Sequence, residues 1–239
     1  MRYLDLTFPT PQENLACDEA LIDLCEESHH HEVLRFWEPR EPFVVLGYSS
    51  KMDLEVNLSS CEANRIPVLR RVSGGGTVLQ GPGCLNYSLI LTVQESGPLT
   101  GIASTYAFVM EGHRRALGQI IGSEVRIQGL SDLALGGCKF SGNAQYRRRR
   151  FVLLHGTFLL QLDLGLMGRL LPLPRRQPLY RQNRAHRDFL INLGISSVAI
   201  KEALRRCWNV TEMCADVPHE RIAALVSHRY ARAEWNCKF

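Results

Sequence analysis

The stretch Arg70-Arg71-Val72-Ser73-Gly74-Gly75-Gly76-Thr77 constrains this chain more than any other. Three consecutive glycines separate two short runs, 68–72 and 77–80, that read as strands. A tight hairpin needs no triple glycine, which carries a conformational entropy cost. The sequence therefore points to a backbone that approaches a ligand closely and turns several N–H groups toward it. Two arginines at the strand end suit phosphate or carboxylate oxygens. A glycine-rich hairpin with solvated arginines is the alternative at this level. Neither Gly-x-x-x-x-Gly-Lys-Ser/Thr nor a helix-opening Gly-x-Gly-x-x-Gly occurs, so a P-loop or Rossmann site is not expected.

Around this loop the pattern alternates between helix and strand periods. Leu15, Asp18, Leu21 or Ile22 and Cys25 recur at three- and four-residue intervals, predicting an amphipathic helix over 12–27 with an acidic outer face. Strands are predicted at 33–37 and 43–47 with a proline-bounded turn between them, and a short helix at 58–65. Further strands follow at 85–93, 125–128, 132–135, 139–146 and 151–161, with Gly136-Gly137 as one hairpin turn. Helical spacing returns over 103–121. Prolines exclude regular structure from 172–178. Ser196 caps a helix running to Trp208, and Pro218 opens a last one toward Tyr230. The expected fold class is α+β, a mixed and largely antiparallel sheet flanked by helices. Residues 1–195 form the main domain and 196–239 a helical tail packed on it.

At 239 residues and 45% hydrophobic, the chain buries a core without disulfides or metal. No apolar run approaches the roughly 20 residues of a membrane helix. The N-terminus lacks a signal-peptide pattern, so a cytoplasmic protein with no membrane contact is expected. Eight scattered cysteines without a Cys-x-x-Cys pair read as reduced thiols. His29-His30-His31 reads as a solvated connector rather than a metal site.

The formal charge of +4 conceals a strong polarity. Residues 1–60 carry 12 acids against 4 bases, whereas residues 139–190 carry 11 bases against 2 acids. Such a basic block predicts an anionic partner: nucleic acid, a nucleotide or an acidic protein surface. Only four lysines stand beside 24 arginines, which singles out Lys139 in Gly136-Gly137-Cys138-Lys139-Phe140-Ser141-Gly142. It is a candidate for a positioned point charge, with an edge-strand lysine as the alternative. Asp132 could hold Mg²⁺ nearby. His155 reads as a hydrogen-bonded core group or a catalyst, and Cys84 as a pocket-lining thiol without an evident base.

Taken together these motifs resemble the lipoate–protein ligase A family. The resemblance is carried by Arg35-Phe36-Trp37, Arg71-x-Ser73-Gly74-Gly75-Gly76, Asn86-Tyr87-Ser88, Ser131-Asp132-Leu133, Lys139-x-Ser141-Gly142-Asn143-Ala144-Gln145 and His155-Gly156-Thr157, and it covers essentially the whole chain. It implies a fold akin to biotin protein ligase and class II aminoacyl-tRNA synthetases. It also implies a two-step reaction in which lipoate and Mg·ATP give lipoyl-adenylate, and the lipoyl group then passes to a lysine of an acidic lipoyl-domain acceptor. The catalytic candidate is Lys139. The substrate-binding set is Trp37, Arg71, Ser73, Gly74, Gly75, Gly76, Thr77, Asn86, Gly142, Ala144 and His155, with Mg²⁺ at Asp132. Trp37, Val44, Leu46, Tyr87 and Leu89 are the expected apolar slot.

Two departures from the pattern matter. Residues 196–239 read as the catalytic domain's own tail, without the additional C-terminal domain of the larger ligases. Adenylation is then expected either from this chain alone or with a separate protein. The related transferases use a cysteine thioester and no ATP, and in their short forms that cysteine precedes the lysine motif. Here 129–135 contain Asp132 and no cysteine, and Cys138 is expected to point away from whatever Lys139 faces. The ligase is the favoured reading. A transferase acting through Cys84 or Cys138 and a non-enzymatic nucleic-acid-binding module are the alternatives. The arginine run 147–150 and the arginines of 175–187 are expected to steer the acceptor, and a monomer is the default.

Overall fold

The computed structural model describes residues 1–28 and 31–239; the first two residues of the His29-His30-His31 reading lie outside that description. In chain order the elements are β1 (Arg2–Asp5), α1 (Pro11–Ser28), β2 (Val33–Trp37), β3 (Phe43–Leu46), α2 (Met52–Glu55), α3 (Leu58–Ala63), β4 (Val68–Arg70), β5 (Val78–Gln80), β6 (Cys84–Thr92) and α4 (Ile102–Ile121). There follow β7 (Arg126–Gln128), β8 (Asp132–Leu135), β9 (Cys138–Arg147), β10 (Phe151–Leu159), α5 (Leu164–Leu170), α6 (His186–Phe189), α7 (Ser197–Cys207), β11 (Glu212–Met213), α8 (His219–Leu225) and α9 (Ala233–Asn236). A 3₁₀ turn spans Leu179–Arg181, and a π-helical turn, Val226–Tyr230, extends α8.

The strands form two sheets. The larger has the order β11-β1-β2-β6-β10-β9-β8-β7, parallel only where β1 meets β11 and β2, and antiparallel elsewhere. The smaller has the order β4-β3-β5. The predicted strands 33–37 and 43–47 are thus not a hairpin: the two prolines between them carry the chain from one sheet to the other. Gly136 and Gly137 both have positive φ (54° and 80°), the geometry a two-residue β8–β9 turn requires. Ser196 accepts a hydrogen bond from Val198 N at the start of α7, as its position predicts. The two-residue edge strand β11 has too short a pattern to be read from sequence.

Side chains alternate across the large sheet. On β6, Leu85, Tyr87, Leu89 and Leu91 face a core closed by Val109, Met110 and Leu117 of α4 and Ile200 and Leu204 of α7. The opposite face is closed by Leu15, Leu21 and Ile22 of α1, with Ile222 and Tyr230 from the C-terminal segment. A third cluster, with Val44, Leu46, Leu170 and Leu171, fastens the small sheet to α5.

The charge polarity of the sequence is largely cancelled by this packing. Arg148 lies 2.5 Å from Asp23, and Arg150 pairs with Glu26 at 3.5 Å, both acids on α1. Arg221 and Arg229 pair with Glu27 and Glu19 of the same helix. Arg147 turns inward, donating to the Leu99 and Thr100 carbonyls and to Thr105 Oγ1. The arginine run 147–150 is therefore mainly a clasp for α1 and α4, not the free basic patch expected. Among the described residues no helix is long and apolar enough to cross a membrane.

Candidate active site

Register brings the candidate residues into line. Across β2, β6, β10 and β9, Trp37 lies opposite Asn86, Asn86 opposite Thr157, and Thr157 opposite Gly142. Two residues along, Arg35, Ser88, His155 and Ala144 form a second row. The two-residue strand period puts both rows on the face that α1 covers. Trp37, Asn86, Thr157, Gly142, His155 and Ala144 floor a cleft of about 380 Å³, walled by the small sheet and by the proline-rich segment before α6, while Arg35 and Ser88 lie buried beneath it. Of the residues predicted from sequence, Trp37, Arg71, Gly75, Gly76, Thr77, Asn86, Asp132, Lys139, Gly142, Ala144 and His155 line it. Ser73 and Gly74 do not: Ser73 is buried behind Arg71, and Gly74 contributes its carbonyl.

The glycine loop is shaped by close approaches. A Cβ on Gly47 would lie 1.9 Å from the Gly75 carbonyl oxygen, and Gly75 itself has a φ of 88°. Arg71 is 8% exposed and is held from within the loop. Its Nε donates to Ser73 Oγ (2.9 Å) and Gly74 O (3.2 Å), and Nη2 donates to Gly74 O and Gly76 O, both at 2.8 Å. Among the described residues Arg71 has no carboxylate within ion-pair distance. Burial pulls its pKa down to about 10. An uncompensated guanidinium in a cleft is a receptor for an anion.

Lys139 closes the other side. Its Nζ is 2.8 Å from Asp132 Oδ1, across the β8–β9 hairpin. A Cβ on Gly142 would meet that ammonium at 2.6 Å, so glycine there keeps the space for Lys139. Asp132 Oδ2 accepts from the Tyr180 hydroxyl at 2.8 Å, and burial followed by Asp132 drives the Tyr180 pKa far up, so the phenol keeps its proton.

Residues 10–206 match the family described as Lipoyl protein ligase A/B catalytic domain. The chain belongs to that family. A relative from Aeropyrum pernix with a provisional lipoate-protein ligase A name is 35% identical over 169 residues, 70% of this chain and 60% of that one; the chain thus spans less than two thirds of that relative. Octanoyltransferase LipM of Oceanobacillus iheyensis is 29% identical over 187 residues, 70% of this chain and 68% of that one. The fold is that of a lipoate-protein ligase A crystallised with ATP: TM-score 0.85 at 24% identity, covering 99% of this chain and 98% of the other. It is equally that of a bi-partite lipoate protein ligase from Thermoplasma acidophilum, studied with its E2 lipoyl domain (TM-score 0.83, 23% identity, 99% and 95% covered). The names within the family thus divide between lipoate ligases and octanoyltransferases.

The lipoyl ligase family fold also corrects parts of the expected apolar slot. Trp37 and Tyr87 line the cleft, but Val44 and Leu46 point to the α5 side and Leu89 into the α4 core. Val45 takes their place, because side chains on β3 alternate. Among the described residues no cysteine lines the cleft. Cys84 sits in the small-sheet core, where burial pushes its pKa up to about 12. Cys138 Sγ lies against Asp188 O and Arg184, on the side of β9 away from Lys139, as alternation predicts.

Among the lining residues that escaped sequence reasoning, Asp18, Gln80 and Arg181 carry polar chemistry. Asp18 is a carboxylate placed within the apolar stripe of α1, which is the signal it leaves. Gln80 closes a polar set with Asn86 and Thr157 (2.6–2.9 Å), and nothing in its strand distinguishes it. Arg181 is a second buried guanidinium, 5% exposed and stacked 4.6 Å from the Phe189 ring.

Proposed function

We propose that the chain is an ATP-dependent lipoate–protein ligase. The observation that carries this reading is a cleft holding a carboxylate-free buried arginine and a positioned lysine, with no thiol among its lining residues. In the first step a lipoate carboxylate oxygen attacks the α-phosphorus of ATP, and the bond to the β-phosphate breaks to release pyrophosphate. Arg71 and the N–H groups of the glycine loop stabilise the charge that gathers on the phosphoryl oxygens. In the second step an acceptor lysine amine, after losing a proton, attacks the mixed-anhydride carbonyl and AMP leaves. Lys139 lies where it can stabilise the carbonyl oxygen and the departing phosphate. The adenylate is already activated, so no protein nucleophile is needed.

Magnesium fits as an ion carried on the nucleotide phosphates. Among the described residues no cluster of three or more His, Cys, Asp or Glu forms a resident site. Asp132, which also pairs with Lys139 and Tyr180, is one of the cleft carboxylates that would complete such an ion's shell. The acceptor is a lipoyl domain, as the Thermoplasma relative's pairing suggests. Arg176 lines the cleft, and Leu179, Arg175 and Arg187 are exposed on the segment that follows α5 and walls it, an array that suits an acidic acceptor surface.

The octanoyltransferase names among the relatives favour a second reading, acyl transfer through a cysteine thioester. It needs a reactive thiol at the cleft. Pyrophosphate–ATP exchange without acceptor separates the two. Exchange that needs lipoate and vanishes in Lys139→Ala supports the ligase. No exchange, together with transfer from an octanoyl thioester that Cys84→Ser or Cys138→Ser abolishes, replaces it with the transferase. Transfer from preformed lipoyl-adenylate without exchange points to a partner protein for adenylation.

A further inference from the structure

Behind Arg71 lies a chain of buried polar side chains that leads back to α1. Arg35, fully buried on β2, donates Nη1 to Asp18 Oδ1 at 2.5 Å. Its other contacts fix the guanidinium: Nη1 to Asn14 O and Nη2 to Asn14 Oδ1, both at 2.8 Å. Asp18 Oδ2 faces His155 Nδ1 at 3.3 Å, and His155 Nε2 lies 2.6 Å from Ser73 Oγ. Ser73 Oγ accepts from Arg71 Nε at 2.9 Å. The line therefore runs Arg35, Asp18, His155, Ser73, Arg71, from the core to the cleft.

The middle of this line has the hydrogen-bond order of a Ser-His-Asp nucleophile triad. Accessibility excludes that use. Ser73 is 1% exposed, does not line the cleft, and already accepts from the Arg71 guanidinium. A nucleophile must reach a substrate carbonyl, and this hydroxyl lies behind the group that would bind the substrate.

The same order has another consequence. An ionised Asp18 accepts the Nδ1 proton of His155, which leaves Nε2 to take the Ser73 hydroxyl proton. The hydroxyl oxygen then turns its lone pairs to Arg71 Nε. With Nε and Nη2 fixed, Nη1 is the guanidinium nitrogen without a protein acceptor among the described residues, and it remains for a ligand. We infer that Asp18, His155 and Ser73 are positioning residues that fix the plane of the Arg71 guanidinium, so that α1 sets the anion-binding geometry of the glycine loop.

The test has one arm that needs no enzymatic activity and one that rests on the ligase reading. In the first, the Arg71 Nε–H proton of the full chain is followed by ¹⁵N-edited NMR. In the wild type it should be a resolved, slowly exchanging signal, and both Asp18→Asn and Ser73→Ala should shift it and speed its exchange at least about tenfold. Ser73→Ala leaves the Arg35–Asp18 pair intact, so it answers even if Asp18→Asn fails to fold. An unmoved Arg71 signal in a folded Ser73→Ala variant overturns the inference. In the second arm, Asp18→Asn should raise KM for ATP about tenfold with a smaller change in kcat, but less than about twofold in an Arg71→Lys background. Equal losses in both backgrounds, or an acyl ester found on Ser73, overturn it too. Absence of exchange in the wild type would count against the ligase alone and leave the NMR result to decide.

Discussion

Arg70 and Arg71, neighbours at the end of β4, serve opposite purposes. Arg70 is 0% exposed, and its side chain donates to the carbonyls of Gly47, Tyr48, Ser50, Trp235 and Asn236. It thereby ties the C-terminal α9 to the turn that supports the glycine loop. Arg71 is held by loop carbonyls and keeps donors for a ligand. Arg70→Ala removes a donor from five carbonyls, of which Gly47 O keeps its bond from Ser50 N, and should cost about 3–5 kcal/mol of stability, measured by denaturant unfolding. Arg71→Ala should change stability by less than about 1 kcal/mol while lowering pyrophosphate exchange at least about a hundredfold. Similar stability losses for the two would refute the division.

Lys139 and Asp132 should differ in the steps they affect. Lys139→Ala is expected to lower exchange about 10²–10³-fold, the usual effect of losing one charge-stabilising group. Asp132→Asn removes the negative charge and one of the two oxygens that serve Lys139 and Tyr180, but leaves the ammonium in place. It should lower exchange less, and added Mg²⁺ should restore part of the loss if Asp132 completes the ion's shell. Magnesium titrations of the two variants check this.

The thiols supply a sharper test of the mechanism. Cys84 is buried with its pKa pushed up to about 12, and Cys138 lies off the cleft. The double variant Cys84→Ser/Cys138→Ser should keep at least about half of the wild-type transfer rate, since its losses come from packing and not from chemistry. Loss of transfer with retained fold would move the enzyme to the thioester class.

Much of this arrangement is legible in the sequence because it follows from local chemistry. Gly136-Gly137 permits the positive φ that a two-residue hairpin turn needs, Ser196 is a good cap, and alternation alone places Cys138 opposite Lys139. Long-range pairings are not legible. Arg148 and Arg150 read as free charge until α1 is seen beside them, and Asp18 reads as one more acid on an acidic helix until Arg35 and His155 are brought to it. The slot on β3 failed by one residue: four consecutive apolar residues, Phe43, Val44, Val45 and Leu46, give period two nothing to show which pair faces the cleft.

Steering by charge should reside in the mouth arginines. Arg175→Glu/Arg176→Glu/Arg187→Glu should slow transfer to an acidic lipoyl domain and weaken its salt dependence, with exchange unchanged to within about twofold. Arg148→Glu/Arg150→Glu should instead lower stability, because two carboxylates of α1 lose their partners. If the second pair alone slows transfer in a fully stable protein, the assignment is reversed.

Acid stability should depend on His113, buried in the α4 core. It is 0% exposed, and its Nε2 accepts from Trp208 Nε1 at 3.0 Å. Burial pulls its pKa from 6.5 down to about 3. A proton on Nε2 would displace the indole donor and place a charge among Tyr87, Phe158 and Trp208. Between these two values the unfolded chain binds the proton and the folded one does not, so stability rises with pH across that window. The contribution is complete above about pH 6.5 and is lost as pH falls toward 3, at up to about 1.4 kcal/mol per unit. His113→Gln keeps an acceptor for Trp208 without titrating. Unfolding free energies at a series of pH values should therefore show a flatter acid limb in His113→Gln than in the wild type, and parallel limbs would assign the acid sensitivity elsewhere.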